Sequence, residues 1–360
     1  MSNIIPIDLL ALSTNLNYLS SFPALNTAEP AVSLLAYNTT FATNVLGENA
    51  KARQLYDLPW QAFHEMGTYH KATNSIYITS NWNGSLENPI NVTVLSLEDY
   101  ALSSTHYPNL YEANGGTGYY PPGSSNDSTP PKLLFCDQGD FEHPSGLVAV
   151  DPATNTSEVI LNNSLGRNFS SLNDVRQHPK TGDLWFTDAD YGFFQSFRPA
   201  PAVPKQVYRF EPSTGVIQVV ADGFDQPNGL EFSPDLQTLY VTDTGAQHVT
   251  QNLTRPATIY AFDVVDKVRL GNRRTFAYPD NGFPDGIHAE TDGNVWANCG
   301  DGVHVWSPQG ILLGKIFVGA QSNNMAFIPG GVLVFSNSQL WIVENIKAEG
   351  REICRDFGAC

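Results

Sequence analysis

Four segments of the 360-residue chain put an oxygen-bearing side chain at the same offset of a repeated pattern. They are Glu65 in EMGTYHKATNSIYITSN, Asn173 in NDVRQHPKTGDLWFTD, Asn228 in NGLEFSPDLQTLYVTD and Asp285 in DGIHAETDGNVWANC. Between the second and third, Asn, Pro, Leu, an aromatic and Thr-Asp recur at identical offsets over 16 positions, and a weaker copy, NMAFIPGGVLVFSNS, starts at Asn324. Amide and carboxylate oxygens drawn from separate segments, with two formal charges among them, are a donor set for a hard cation; Ca²⁺ takes about 6 to 8 such ligands at about 2.3 to 2.6 Å. Zinc fits poorly, because no Cys or His pair has its spacing. The alternative use of Asn-Gly and Asp-Gly is as turn residues that bond their own backbone. Against it, Glu65 has no turn preference, and each of these residues precedes a strand.

The elements that must position these residues are strands. Each copy reads as a short apolar strand, a turn rich in Pro, Gly, Asp or Thr, and a second strand of β-branched and aromatic residues. Several continue into further strands, as in VYRFEPSTGVIQVVA at 207–221. Asn173 to Asn228 is 55 residues, Asn228 to Asp285 is 57, and Glu65 to Asn173 is 108, which leaves room for two units. The missing start falls before KLLFCDQGD (132–140), where the Tyr-, Pro- and Gly-rich segment 101–130 reads as an inserted loop with Tyr119 and Tyr120 as lid candidates. With the copy at Asn324 the count is six. Four-stranded meanders repeated at this period predict an all-β chain, a six-bladed β-propeller of antiparallel blades around a central metal-binding channel. ARQLYDLP (52–59) is a candidate strand to close the ring, making 1–360 one domain with an N-terminal extension (1–51) and a C-terminal tail (346–360). In such a ring the innermost strands line the channel, so the residues at the shared offset converge on it.

Composition narrows the partners. With 36 acidic against 19 basic residues the formal charge is −17, which opposes binding to nucleic acid or anionic membranes and favours cations. No stretch approaches the roughly 20 apolar residues of a membrane helix. The start, MSNIIPIDLLALS, lacks the basic region of a signal peptide. Asn-x-Ser/Thr acceptor sites occur at Asn38, Asn83, Asn91, Asn126, Asn155, Asn162, Asn168 and Asn252, so the expectation is a secreted glycoprotein whose leader has been removed, with accidental sites in an Asn-rich chain as the alternative. Of the four cysteines, Cys354 and Cys360 could close a short loop in the tail, while Cys136 and Cys299 lie in apolar runs and read as buried thiols. A homo-oligomer is compatible with all of this.

The ordered set FHEMGTY around Glu65, SLNDV around Asn173, QPNGLEFSPDLQTLYVTDT around Asn228 and FPDGIHAETDGNVW around Asp285 resembles the gluconolactonase, senescence marker protein (regucalcin) and Drp35-like lactonase family. The likeness covers about residues 52–345 and is nearest to the fungal lactonohydrolases that open aldonolactones and pantolactone. It implies a six-bladed propeller with one catalytic divalent metal, usually Ca²⁺, held by Glu65, Asn173, Asn228 and Asp285, and a small-molecule lactone as substrate. Asp285 is then the implied general base, with Glu65 beside it. Lactone hydrolysis needs a polarised carbonyl, an activated water and a stabilised oxyanion, which a channel cation and a nearby carboxylate or His can supply. No Gly-x-Ser-x-Gly elbow is present to suggest a serine nucleophile. His288, three residues beyond Asp285, and His143 in GDFEHPSG are further catalytic candidates, with packing roles as the alternative; Asp174 is a candidate for substrate contact or for turn capping. Two other readings stay open, an aryl esterase or organophosphatase using the same metal and a calcium-binding propeller that performs no reaction.

Overall fold

The computed structural model describes residues 4–26, 32–124 and 132–356. Six antiparallel sheets follow one another along the chain. Their innermost strands are Glu65–His70, Ala113–Tyr119, Ser171–Gln177, Pro227–Phe232, Ile287–Ala289 and Asn324–Ile328. Each touches the next and the last touches the first, closing a ring around a central channel. The sixth blade takes its outer strand, Lys51–Asp57, from the opposite end of the chain, paired to Gln339–Glu344. Five blades have four strands and the fifth has six, because Ser33–Ala36 adds to its outer strand Leu312–Phe317 and Ile4–Pro6 adds beyond that in parallel. The N-terminal extension therefore covers an edge that would otherwise be open to pairing.

Two short side chains at the end of the second strand explain why Thr-Asp recurs. The Thr donates to the next blade: Thr79 Oγ1 to the Asn114 carbonyl at 3.0 Å, Thr187 to that of Asn228 at 2.7 Å and Thr242 to that of Asp285 at 2.8 Å. The following Asp accepts from the loop leading into its own blade: Asp188 from Ser170 and Ser171, Asp243 from Asp225 and Gln226. Asp137 does the same for Tyr111 and Glu112. Each dipeptide thus ties two backbones that would otherwise be buried without partners. Between blades the faces meet through apolar side chains; Trp185, Phe232 and Leu239 fill one seam, Tyr240, Ile287 and Val295 another.

The 101–130 segment is not an inserted loop. Leu102–Thr105 is the outer strand of the first blade and Ala113–Tyr119 the innermost strand of the second. Tyr119 is buried between the second and third blades and is no lid. Residues 125–131, with the acceptor site at Asn126, lie outside the described residues. Cys136 and Cys299 are buried free thiols. Cys354 is disulfide-bonded, and Cys360 lies outside the described residues.

Candidate active site

The innermost strands of the first four blades each carry a register irregularity, which follows Glu65 at Met66/Thr68 and spans Asn114, Asn173 and Asn228 at Ala113/Gly116, Leu172/Val175 and Pro227/Leu230. A bulge bends the strand and re-aims one side chain, here into the mouth of the channel. Gly229 follows Asn228 because the neighbouring strand passes too close for anything larger: a Cβ there would sit 2.8 Å from the Asp285 carbonyl oxygen. Gly115 plays the same part beside Asn173, where a Cβ would meet the backbone oxygen at 2.5 Å.

Glu65, Asn173, Asn228 and Asp285 converge on the floor of one cavity of about 560 Å³. Two further amides, Asn114 and Asn323, complete the circle. Asn228 Nδ2 donates to Asp285 Oδ1 at 2.6 Å and Asn323 Nδ2 to Asp285 Oδ2 at 3.1 Å. Glu65 Oε2 accepts from Asn324 Nδ2 at 2.8 Å. The Oδ1 atoms of Asn173, Asn228 and Asn323 are buried without any hydrogen-bond partner. Orphaned buried oxygens of this kind are uncommon and call for a specific occupant. Burial pushes the Asp285 carboxyl up to about 7, with the charge of Asp174 adding to the rise while the Asn323 and Asn228 amides oppose it. Glu65 is raised well above its usual range, first by burial and then by the charge of Asp285. Oxygen-only donors, orphaned amides and two carboxylates that repel one another fit a hard divalent cation, with Glu65, Asn173, Asn228 and Asp285 as its holders and Asn323 within the same ring.

The walls divide into polar and apolar parts. Tyr191, on the one-turn helix Tyr191–Phe194 above the third blade, lies with its hydroxyl 3.5 Å from Asn228 Nδ2. Burial raises it well above the usual phenol range, so it stays a neutral donor. His64 joins the wall with Nδ1 2.9 Å from Asn337 Oδ1 and is pushed down to about 4 by desolvation, hence a neutral imidazole. Phe194, Phe283, Trp82 and Ile90 supply the apolar side.

The other sequence candidates fall elsewhere. His288 lies beneath the floor, its Nε2 3.2 Å from Asn324 Oδ1 and its Nδ1 3.9 Å from Glu231, and burial together with the charge of Arg176 pushes it down to about 4. It does not line the cavity, because strand alternation turns it away from Asp285. His143 sits on a separate rim, stacked on Tyr111 with ring centroids 3.6 Å apart and its Nδ1 3.0 Å from Asp140. Asp174 points down the channel instead of contacting the cavity, paired with Arg176 Nη1 at 2.9 Å. Of the acceptor-site asparagines, Asn38, Asn83, Asn155, Asn162, Asn168 and Asn252 are exposed and Asn91 is half-buried.

Asp174 belongs to a second buried layer. Arg176 Nε lies 3.5 Å from Glu231 and 3.8 Å from Glu352, and Arg351 Nη2 reaches Glu231 Oε1 at 2.5 Å. Glu352 also accepts from Thr117. The residues Arg351 and Glu352 come from the C-terminal segment, which crosses the far end of the channel through a Glu290–Gly350 bridge. Burial would pull the Arg176 guanidinium down, but the carboxylates of Asp174, Glu352 and Glu231 outweigh it and hold it above its ordinary value.

Comparison with known proteins agrees with this geometry. Residues 121–334 match the family described as the SMP-30/Gluconolactonase/LRE-like region. The chain is 31% identical over 342 residues to lactonohydrolase oryL of Aspergillus oryzae, across 88% of this chain and 73% of that protein. To lactonohydrolase oryH of the same fungus it is 27% identical over 355 residues, across 78% and 72% of the two chains. A gluconolactonase from Xanthomonas campestris has the same fold with a TM-score of 0.70 at 26% identity, covering 88% of this chain and 95% of that one. A ring of orphaned oxygens at the mouth of a six-bladed propeller and this run of matches have one reading: the chain belongs to the SMP-30/gluconolactonase/LRE-like family.

Proposed function

We propose that this protein is a divalent-metal-dependent lactonase, a carboxylic ester hydrolase that opens small sugar or hydroxy-acid lactones, with Ca²⁺ as the resident ion. The observation that carries the reading is the cavity floor, where three buried amide oxygens lack partners and two buried carboxylates face each other without a cationic side chain among the described lining residues. Relatives named lactonohydrolase and gluconolactonase support the substrate class. A cation bound there would act as a Lewis acid on the lactone carbonyl.

The chain's own groups do the rest. Asp285 is the general base: its carboxylate takes a proton from the attacking water, and its Asn228 and Asn323 partners hold it in orientation. Tyr191 remains protonated and can donate to the substrate, and Asn114 offers an amide to its hydroxyls. Phe194, Phe283 and Trp82 exclude bulk water from one side, which strengthens each polar contact inside. Acid release is measured from a panel of γ- and δ-lactones with Ca²⁺ and after exhaustive chelation, for wild type and Asp285→Asn. Chelation is expected to abolish turnover and Asp285→Asn to lower kcat/KM by about 100- to 1000-fold, comparable to losing a preorganised electrostatic group. Full activity after metal removal sinks the mechanism, and no turnover of any lactone by the loaded protein leaves a binding propeller.

A further inference from the structure

The catalytic cavity does not end at its own rim. A second cavity of about 790 Å³ lies against it, and Ser80, Asn81, Trp82 and Ile90 line both. The shared wall is braced: Asn81 Nδ2 donates to Gln61 Oε1 at 2.6 Å, Trp82 N–H to Asn81 Oδ1 at 2.8 Å, and the Trp82 ring leans on Phe197 with centroids 4.6 Å apart. Trp60, 41% exposed and outside every buried cluster of the blades, lines the second cavity and not the first. Apart from the two indoles, Pro89, Ile90 and His106, the lining is amides and hydroxyls, with Glu87 its one carboxylate and no Lys or Arg among the described residues.

We infer that this groove is a subsite for a second sugar ring, so that the preferred substrate is a glycosylated aldonolactone whose lactone ring sits over the oxygen floor and whose neighbouring pyranose lies between Trp82 and Trp60. The inference rests on the lactonase reading above and extends it. Three ligand chemistries could fill a groove beside that site, and the lining separates them. An alkyl chain would cover the indoles but desolvate the amides of Asn83, Asn88 and Asn91 without replacing their hydrogen bonds, which is costly. An anionic group would meet Glu87 and find no Lys or Arg in the lining, with the His106 imidazole as its one basic side chain. A pyranose has apolar C–H faces for the indoles and a girdle of hydroxyls for amide and hydroxyl partners, so it satisfies both halves of the lining. Its neutrality also suits a catalytic cavity whose lining holds Glu65 and Asp285 and no Lys or Arg among the described residues.

The test compares cellobiono-1,5-lactone with glucono-1,5-lactone, using protein made in a host that does not glycosylate, so that Asn83 and Asn91 are bare. Rates are taken above the spontaneous hydrolysis of each lactone. Wild type is expected to favour the disaccharide lactone in kcat/KM by about tenfold, one good stacking contact's worth. Trp60→Ala should erase the preference, Trp60→Phe should retain most of it, and neither should change turnover of the monosaccharide lactone. In parallel, indole fluorescence is titrated with cellobionate and gluconate, and wild type should bind the former several-fold more tightly with the difference lost in Trp60→Ala. Glucono-1,5-lactone turnover without a disaccharide preference overturns the subsite and leaves the lactonase reading standing. Equal binding of the two aldonates overturns it even if neither lactone is turned over, the result that would defeat the lactonase reading itself.

Discussion

Two layers of the channel lie one residue apart and are equally buried, yet their charges are treated in opposite ways. Asn173 turns up into the cavity and Asp174, next in the chain, turns down onto Arg176. The lower layer brings its own cations: Arg176 and Arg351 stand among Asp174, Glu231 and Glu352. Each of its carboxylates faces a guanidinium even where hydrogen bonds are lacking; Arg176 Nε and Glu231 Oε2 have no conventional partner but face each other at 3.5 Å. The upper layer holds Glu65 and Asp285 with no Lys or Arg of its own, and burial followed by the charge of Asp285 raises the Glu65 carboxyl well above its usual range. A buried charge network that is internally matched serves the fold. One that is short of a cation is poised to receive it.

The largest effect expected from this contrast is opposite stability changes in the two layers. Arg176→Met strands Asp174 as a buried carboxylate and leaves Glu231 with Arg351 alone, and should cost about 3 to 5 kcal/mol, the usual result of breaking a buried pair from one side. Glu65→Gln keeps an acceptor for Asn324 while removing one of two repelling carboxylates, so the metal-free protein should melt at a higher temperature than wild type. The same Glu65→Gln variant should lose most of its Ca²⁺ affinity. Thermal melts with and without Ca²⁺ decide the matter; a Glu65→Gln variant that melts lower in the absence of metal would show the upper ring to be a structural network like the lower one.

Next in size is the pH dependence. The folded Asp285 carboxyl is raised to about 7 from its ordinary 3.8, so folding of the metal-free protein takes up a proton between those limits. Its contribution to stability is present below about pH 4 and is lost as the pH rises through about 7. Bound Ca²⁺ requires the deprotonated form and reverses this trend. The metal-free melting temperature should therefore fall from pH 5 to pH 8, and the gain on adding Ca²⁺ should widen over the same range. Other buried carboxyls, such as Asp188 raised to about 7 and Glu112 to about 8, both mainly by burial, contribute to the slope in both states. The difference between the two melting curves isolates the ring. A Ca²⁺ gain that stays flat with pH would place the ion away from Asp285.

How much of this was legible in the sequence depends on whether a residue's role is local. Asn173 and Asn228 stand out because Thr187-Asp188 and Thr242-Asp243, at the ends of their second strands, must reach both their own blade and the next, which imposes one spacing on these two copies. Asn114 escapes notice for a physical reason: in ANGGTGY the glycines are demanded by backbone crowding around the channel, and a strand so rich in Gly reads as a loop. The sixth blade is offset by one residue. Asn323 presents the orphaned oxygen, while Asn324 is spent on Glu65, on the Met325 N–H and on a close approach to His288. Arg351 and Glu352 could not be read at all, since charged residues in a tail ordinarily face water, and Arg351 finds its partner 120 residues away. Ring membership follows from repeat period; the partners of the lower layer follow only from the closed circle.

The smallest effect tests whether the latch between blades serves only the fold. Thr242 Oγ1 donates to the Asp285 carbonyl at 2.8 Å, and Thr187 makes the equivalent bond to Asn228 at 2.7 Å. Replacing either Thr by Val keeps the shape; Thr242→Val removes one buried donor and should lose about 1 kcal/mol of stability, while Thr187→Val also takes the acceptor from the Asp174 N–H at 3.1 Å and should lose somewhat more. Their effects on the ring should differ. Asp285 carries charge and is held on both oxygens, so a small rotation of its backbone moves both a ligand and the general base. Asn228 offers only a neutral oxygen. Thr242→Val should therefore weaken Ca²⁺ binding by a few-fold and lower kcat more than it changes KM, with Thr187→Val affecting affinity less. Calorimetric titration of Ca²⁺ into the two variants reads the difference directly. Equal affinities in both would mean that the latch aligns blades without aligning the carboxylate, and that the bulge at Pro227/Leu230 with the amides of Asn228 and Asn323 suffices to orient the upper layer.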